Sequence, residues 1–331
     1  MSAVSETPSA TQRLGTFRYL QASVESSLYR NGKVLTRRNL DGTDGGREGV
    51  DVEDREMQVA DARQLQGAER RTVEQNGFEL IADALPKAEF DFFSHADVIR
   101  DYYPRCADLV KRASGARHVY AFDHNVRSAE GKNNQARIKG GQEVQGPAHM
   151  VHGDYTLTSA PQRLRDLSRP ATKNDTLFEV LNGKPLVDAE VAAAVQERDA
   201  RFAIINVWRN IAPEPVATHP LALCDAQSVG PHDLVVFEIH YADRVGENYF
   251  AKHDSSHRWY FYPAMTRDEA LLIKQWDSAG PFAKSGGQQG DIAADGAPCT
   301  FSFHSAFEDS ETPADAPERW SIEVRCMAVY D

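Results

Sequence analysis

Two His-x-Asp triplets stand out in the chain, His95-Ala96-Asp97 and His152-Gly153-Asp154. An imidazole and a carboxylate so spaced can grip one cation, provided that they point the same way. On a strand, residues two apart share a face; on a helix they point to nearly opposite sides. The first triplet opens a helical pattern. Val98, Ile99, Tyr102, Tyr103, Cys106, Leu109 and Val110 recur at steps of one, three and four, with Ser94 as N-cap and Asp97 in the favourable first turn. The second triplet lies in the strand-like run AHMVHGDYTL (148–157), so only His152 and Asp154 are placed to chelate. Gly153 between them offers no side chain, as suits a bend or a close approach at the rim of a metal pocket. One imidazole and one carboxylate are two legs of a facial triad, which leaves open positions on iron(II) for a cosubstrate and oxygen. On the triplet alone, a surface histidine beside a turn aspartate is the competing interpretation.

A third ligand must come from His219, His232, His240, His253, His257 or His304. His219 and His232 adjoin prolines, and His253 and His257 lie in a polar turn, which reads as solvated loop. His240 and His304 fall on strands. His304 is preferred because Thr300, Ser302 and His304 share one face of a short strand while Phe301 and Phe303 take the other. Downstream, Arg319-Trp320-Ser321 places a guanidinium beside a hydroxyl, which is what a dicarboxylate tail requires: a fixed bidentate fork to carboxylate. The plainer alternative for this strand is a core face (Trp320, Ile322, Val324, Cys326, Ala328) alternating with a wet one (Arg319, Ser321, Glu323, Arg325, Met327).

The elements that must position these groups are mostly strands. RHVYAFDHNVR (117–127), RFAIINVWRNI (201–211), DLVVFEIHYA (233–242), HRWYFY (257–262), CTFSFHSAF (299–307) and RWSIEVRCMAVY (319–330) carry β-branched and aromatic residues between Gly, Pro and Asp clusters. GTFRYLQASV and residues 28–35 have the character of peripheral strands. Residues 37–54 read as an exposed loop, rich in charge and glycine. Two further helices are expected. One follows Pro263, where Thr266 and Glu269 form a capping box ahead of Ala270, Leu271, Leu272, Ile273 and Trp276; a weaker one runs near 188–197. Many strands with a few helices predict a β-sandwich or jelly roll buttressed by helices, in one domain over 15–331 behind a loose N-terminus at 1–14.

The bulk numbers bound the function. Hydrophobic residues are 41% and charged residues 26% of 331, ordinary globular composition. A net charge of -12 with scattered basic residues argues against a nucleic-acid partner. No apolar run approaches a membrane span, and the first residues lack a secretory pattern, so a cytoplasmic protein is expected. Cys106, Cys224, Cys299 and Cys326 form no CxxC pair and read as reduced core residues.

The stretches FDHNVR, GPAHMVHGDYT, INVWRNI, PLALCDAQSV, RWYFYPAMTRDEALLIKQWDS, FHSAFED and RWSIEVR, in this order from about Phe122 to the end, resemble a family of oxidoreductases. It includes the cephem methoxylase component, the fungal gibberellin desaturase and the AsaB-type hydroxylases. The resemblance implies a double-stranded β-helix and an oxidation that depends on iron(II), 2-oxoglutarate and O2 in secondary metabolism. By that resemblance His152, Asp154 and His304 are the metal ligands. Arg319 and Ser321 hold the distal carboxylate of 2-oxoglutarate, with Arg325 as reserve on the same strand face. Arg127, Asn206, Trp208 and Arg209 match family motifs and join Tyr260 as pocket candidates, although a salt-bridge role for the two arginines and packing for the tyrosine compete. Asn210 departs from the proline expected after Trp-Arg. Because Asp154 fills the carboxylate position, halogenation is disfavoured. The rival functions are an accessory jelly-roll protein that partners another biosynthetic enzyme, and a cupin-like zinc isomerase or hydrolase. Neither the substrate, the choice among hydroxylation, desaturation and cyclisation, nor the oligomeric state is legible.

Overall fold

A computed structural model describes residues 12–39, 44–86, 90–198, 200–242, 244–284 and 296–330. In chain order its strands are β1 (Gln12–Leu20), β2 (Leu35–Arg38), β3 (Asp44–Glu48), β4 (Val52–Asp61), β5 (Phe78–Ala82), β6 (His118–Arg127), β7 (His152–Gly153) and β8 (Phe202–Asn210). They continue as β9 (Leu221–Cys224), β10 (Leu234–His240), β11 (Val245–Ala251), β12 (Trp259–Phe261), β13 (Glu269–Asp277), β14 (His304–Ala306), β15 (Glu308–Asp309) and β16 (Ser321–Val329). Two sheets result. The larger has the order β15-β1-β4-β12-β9-β14-β7-β11-β10-β2-β3, and the smaller β5-β13-β8-β16-β6.

The sheets pack face to face over an aromatic seam. Phe17 and Trp259 of the large sheet stack at 4.4 Å, and Trp276 of the small sheet lies 6.4 Å from Phe301. Met327, Ile204 and Phe202 close the same cluster from the small sheet. The other face of the small sheet is covered by the helical stretch His95–Ser114, whose middle turn, Val98–Tyr102, is a π-helix. Val98, Tyr102, Tyr103, Cys106, Leu109 and Val110 are its buried stripe, against Ile205, Val207, Ile322 and Val324. Gly115, in the left-handed conformation at φ 70°, ends it. The small sheet is therefore covered on both faces: β8 is buried at every position.

Three expectations are corrected, the first two by that double burial. The run after Pro263 is strand β13, not a helix. Thr266 N–H does donate to the Glu269 carboxylate at 2.9 Å, but the turn so made feeds a strand held between β5 and β8. A continuous apolar run buried on both faces has no periodicity to separate the two structures. Likewise, the polar face proposed for β16 is not wet, because Arg319, Ser321 and Glu323 are buried in the interior. Residues 37–54 are not a plain loop, since β2 and β3 pair antiparallel there at the sheet edge; residues 40–43 lie outside the described ones. The helix Ala189–Arg198 is present as expected. β1 begins at Gln12, so residues 12–14 belong to the sheet, while the rest of the expected loose N-terminus lies outside the described residues. Of the two runs around the metal motif, only His152–Gly153 and His304–Ala306 form strands, together with β15 just beyond.

Candidate metal centre

Strands β7 and β14 lie side by side in the large sheet with His152 directly opposite His304. Their rings are 4.3 Å apart between centroids. Asp154, two residues past His152, brings its Oδ1 to 3.6 Å from His152 Nε2. One ligand atom from each of the three residues lies within 4.8 Å of the others; among the described residues this is the one such group of His, Cys, Asp and Glu side chains. Gly153 allows a close approach: a Cβ there would stand 3.1 Å from the Phe301 ring, which would have to give by a few tenths of an ångström.

The electrostatics suit a divalent ion. Burial, then His304, push the His152 imidazole down to about 4, and burial also lowers His304, so both rings are neutral with a lone pair to give. His152 Nδ1–H donates to the Met150 carbonyl at 2.7 Å, which fixes the tautomer and turns Nε2 to the site. Burial alone would raise the Asp154 carboxyl, but the Arg325 charge, helped by the Asn206 hydrogen bond, outweighs it and holds the group ionised, well below the usual range. Its Oδ2 accepts from Asn206 Nδ2 at 3.0 Å and from Arg325 Nε at 3.4 Å, and its backbone N–H donates to Gln275 Oε1 at 3.1 Å. Two neutral imidazoles and one carboxylate, with Oδ1 left toward them, are a donor set that fits iron(II).

Beside the two histidines a cleft is lined by Arg127, Trp208, Arg319 and Glu323. Arg127 Nη1 donates to the Gly146 carbonyl at 3.0 Å, and Arg319 to that of His219. Burial, then the charge of Arg127, bring Arg319 down to about 10. Arg319 Nε and Ser321 Oγ are buried with no hydrogen-bond partner. Two guanidiniums and an unengaged hydroxyl, out of water, favour an anion.

The remaining candidates separate by face. Asn206 and Trp208 point inward with the site. Arg209 does not. Its neighbours on the helix-covered face engage it fully: Tyr102 Oη at 2.9 Å, the Asp83 carbonyl at 2.9 Å and the Asp83 carboxylate. Tyr260 also lies away from the cleft, packed on Phe78 with its hydroxyl accepting from Arg71 at 2.6 Å. Asn210 caps a turn, donating to Glu214 and Met265 carbonyls at 2.7 and 3.2 Å. Among the rejected histidines, His95 reaches the Thr176 carbonyl at 3.3 Å and His240 the Glu238 carboxylate at 2.9 Å. His257 is buried between Tyr19 and Asp233 rather than solvated.

Asp123, Glu323 and Gln275 went unrecognised in the sequence. Asp123 and Glu323 sit in quoted motifs, and a carboxylate in step with arginines along an apolar strand was the available signal. Gln275 was hidden by the helical expectation. It is the extra residue of a bulge in β13, between pairs Lys274–Ile205 and Trp276–Ile204, and bulges re-aim side chains beside functional sites. The four cysteines are free and buried.

A family model described as oxidoreductase/YMDC permease-like domain matches residues 18–329. Among the described residues no helix is long and apolar enough to cross a membrane. The chain is 44% identical over 58% of its length to an uncharacterised protein of Methylophilus leisingeri, covering 88% of that protein. It is 30% identical to the Fe(II)/2-oxoglutarate-dependent dioxygenase nvfI of Aspergillus novofumigatus, over 76% of each chain. Hydroxylase/desaturase efuI of Hormonema carpetanum is 26% identical over 78% of this chain and 79% of its own. A solved structure titled iron and alpha-ketoglutarate-dependent endoperoxidase NvfI superposes with a TM-score of 0.69 over 98% of this chain and 99% of the other, at 22% identity, which gives the jelly-roll fold. These likenesses favour the oxygenase over an accessory jelly-roll protein, and the chain belongs to the family of iron(II)- and 2-oxoglutarate-dependent dioxygenases of secondary metabolism.

Proposed function

We propose that His152, Asp154 and His304 hold iron(II), that Arg319 and Ser321 seat the distal carboxylate of 2-oxoglutarate, and that a small organic molecule is hydroxylated, desaturated or cyclised. The observation that carries this is the cleft: Arg319, whose buried Nε has no partner, lines one cavity with both imidazoles, and Ser321, two residues on, keeps a buried hydroxyl that is likewise unengaged. Iron(II) with 2-oxoglutarate and O2 supplies the oxidation of an unactivated C–H bond, with succinate and carbon dioxide released. The chain's own residues bind and orient. Arg319 and Arg127 draw the dianion in, Ser321 donates a hydrogen bond, and Trp208 walls the cleft against water. Arg319 is preferred to Arg325 as the carboxylate anchor, because the Arg325 guanidinium already engages Asp123 and Asp154. Four free, buried cysteines support a cytoplasmic setting.

Succinate formation from 2-oxoglutarate by the purified chain with iron(II) and ascorbate tests the proposal, with or without an organic substrate. Turnover is expected in the native chain and not in His152→Ala, Asp154→Ala or His304→Ala. Undiminished succinate from all three variants would sink the ligand assignment, and activity without O2 or a ketoacid would favour the zinc isomerase.

A further inference from the structure

The metal carboxylate is gripped from behind by a row of side chains that sheet register builds. Asp123 on β6, Arg325 on β16 and Asn206 on β8 stand directly opposite one another across three adjacent strands. Arg325 Nη1 donates to Asp123 Oδ2 at 2.8 Å while its Nε reaches Asp154 Oδ2 at 3.4 Å. The Asn125 amide oxygen, in the orientation that satisfies its neighbours, accepts from both Nη atoms at 3.0 Å. Glu323 lies on the remaining side, at 3.9 Å. Asp123 is in turn oriented by Thr176, whose hydroxyl donates to its other oxygen, Oδ1, at 2.5 Å. Phe122 is a bulge residue in β6, next to the point where Asp123 meets Arg325.

A carboxylate can present either oxygen to a metal by turning about its last torsion. Here Oδ2 is held by both Arg325 and Asn206, which leaves Oδ1 toward His152. We propose that Arg325 and Asp123 are positioning residues that fix which oxygen of Asp154 faces the metal; this rests on the ligand assignment above. Asp123 acts only through Arg325, holding the guanidinium in the one plane from which Nε meets Asp154. A lysine at 325 is a point charge on a flexible stem and cannot span both carboxylates in this way.

The test is an anaerobic titration of the full chain with Co(II), followed by its visible absorption, in the native protein, Arg325→Lys, Asp123→Asn and Asp154→Ala. Partners of metal ligands typically affect affinity by about 10- to 100-fold. A loss of that size is expected in Arg325→Lys and Asp123→Asn, with an altered ligand-field spectrum. Native affinity and spectrum in both, alongside lost binding in Asp154→Ala, overturn the positioning role and spare the ligand assignment. Native binding in Asp154→Ala overturns both. Should Arg325→Lys fail to fold, Asp123→Asn, which keeps the side-chain shape, decides alone.

Discussion

Along β16 and the residues just before it the inward side chains are not interchangeable cations and acids, because what each already touches decides what it can still take. Arg325 is saturated by carboxylates, whereas Arg319 keeps a buried Nε without a partner. Replacing Arg319 by lysine keeps the charge and loses the fork. A hydrogen bond to a charged group is worth about 1.5–3 kcal/mol, so the KM for 2-oxoglutarate should rise by roughly 10- to 100-fold with a smaller change in kcat. Ser321 offers a sharper contrast. Its hydroxyl is buried and unengaged, so Ser321→Ala should leave the unfolding free energy unchanged while raising that KM several-fold. An unchanged KM in both variants, read from succinate formation, would move the carboxylate anchor elsewhere, Arg127 being next in the cleft.

Opposite faces of one strand separate chemistry from support, and this is where sequence legibility ended. That His152 and Asp154 converge was legible because spacing two on a strand dictates a shared face, and His304 joins them through its register with His152. Arg209 follows Trp208 in a single motif, yet a one-residue step puts it on the helix side, where it meets Tyr102 and Asp83. Motif adjacency carries no face; only register does. β13 failed for the related reason that a strand buried on both sides hides its period. Arg209→Met should therefore act on stability. Removing one member of a buried pair costs about 3–5 kcal/mol, and the lower end is expected because Arg105 still binds Asp83 at 2.7 Å. Urea unfolding should show the loss, while succinate formed per folded molecule stays at the native level. The same helix-facing layer contains a pH-sensitive contact. Burial, against the pull of Asp123 and with the help of His95 and Arg325, pushes His124 down to about 4, and its Nδ1 lies 2.8 Å from Tyr103 Oη. It stays neutral in the fold while the unfolded imidazole charges near 6.5. Its stability contribution is thus complete above that pH and is lost as pH falls from about 6.5 towards 4. Thermal melts of His124→Gln should decline less over this interval than those of the native chain; parallel declines would remove His124 as the cause.

For the whole molecule, the centre joins two sheets that share no backbone pairing. The three proposed ligands come from the large sheet side, at β7 and β14 and just beyond β7. The groups that hold Asp154 come from the small one, at β8, β13 and β16. An unfolded chain brings together neither set, because His152 and His304 are far apart in sequence and Arg325 lies beyond both. Metal binding is therefore linked to folding: an ion bound by the native state alone stabilises it by about 2.7 kcal/mol at a hundred times its dissociation constant. For a chain of 331 residues this corresponds to a rise in Tm of roughly 4 °C. Anaerobic melts with Co(II) should show that rise in the native protein and none in Asp154→Ala. A variant of the small sheet that weakens metal binding tenfold at fixed Co(II), such as Asp123→Asn, should forfeit about half of it, since each tenfold is about 1.4 kcal/mol. An equal rise in all three proteins would mean that the stabilising ion sits elsewhere and that the inter-sheet cavity does not couple metal to fold.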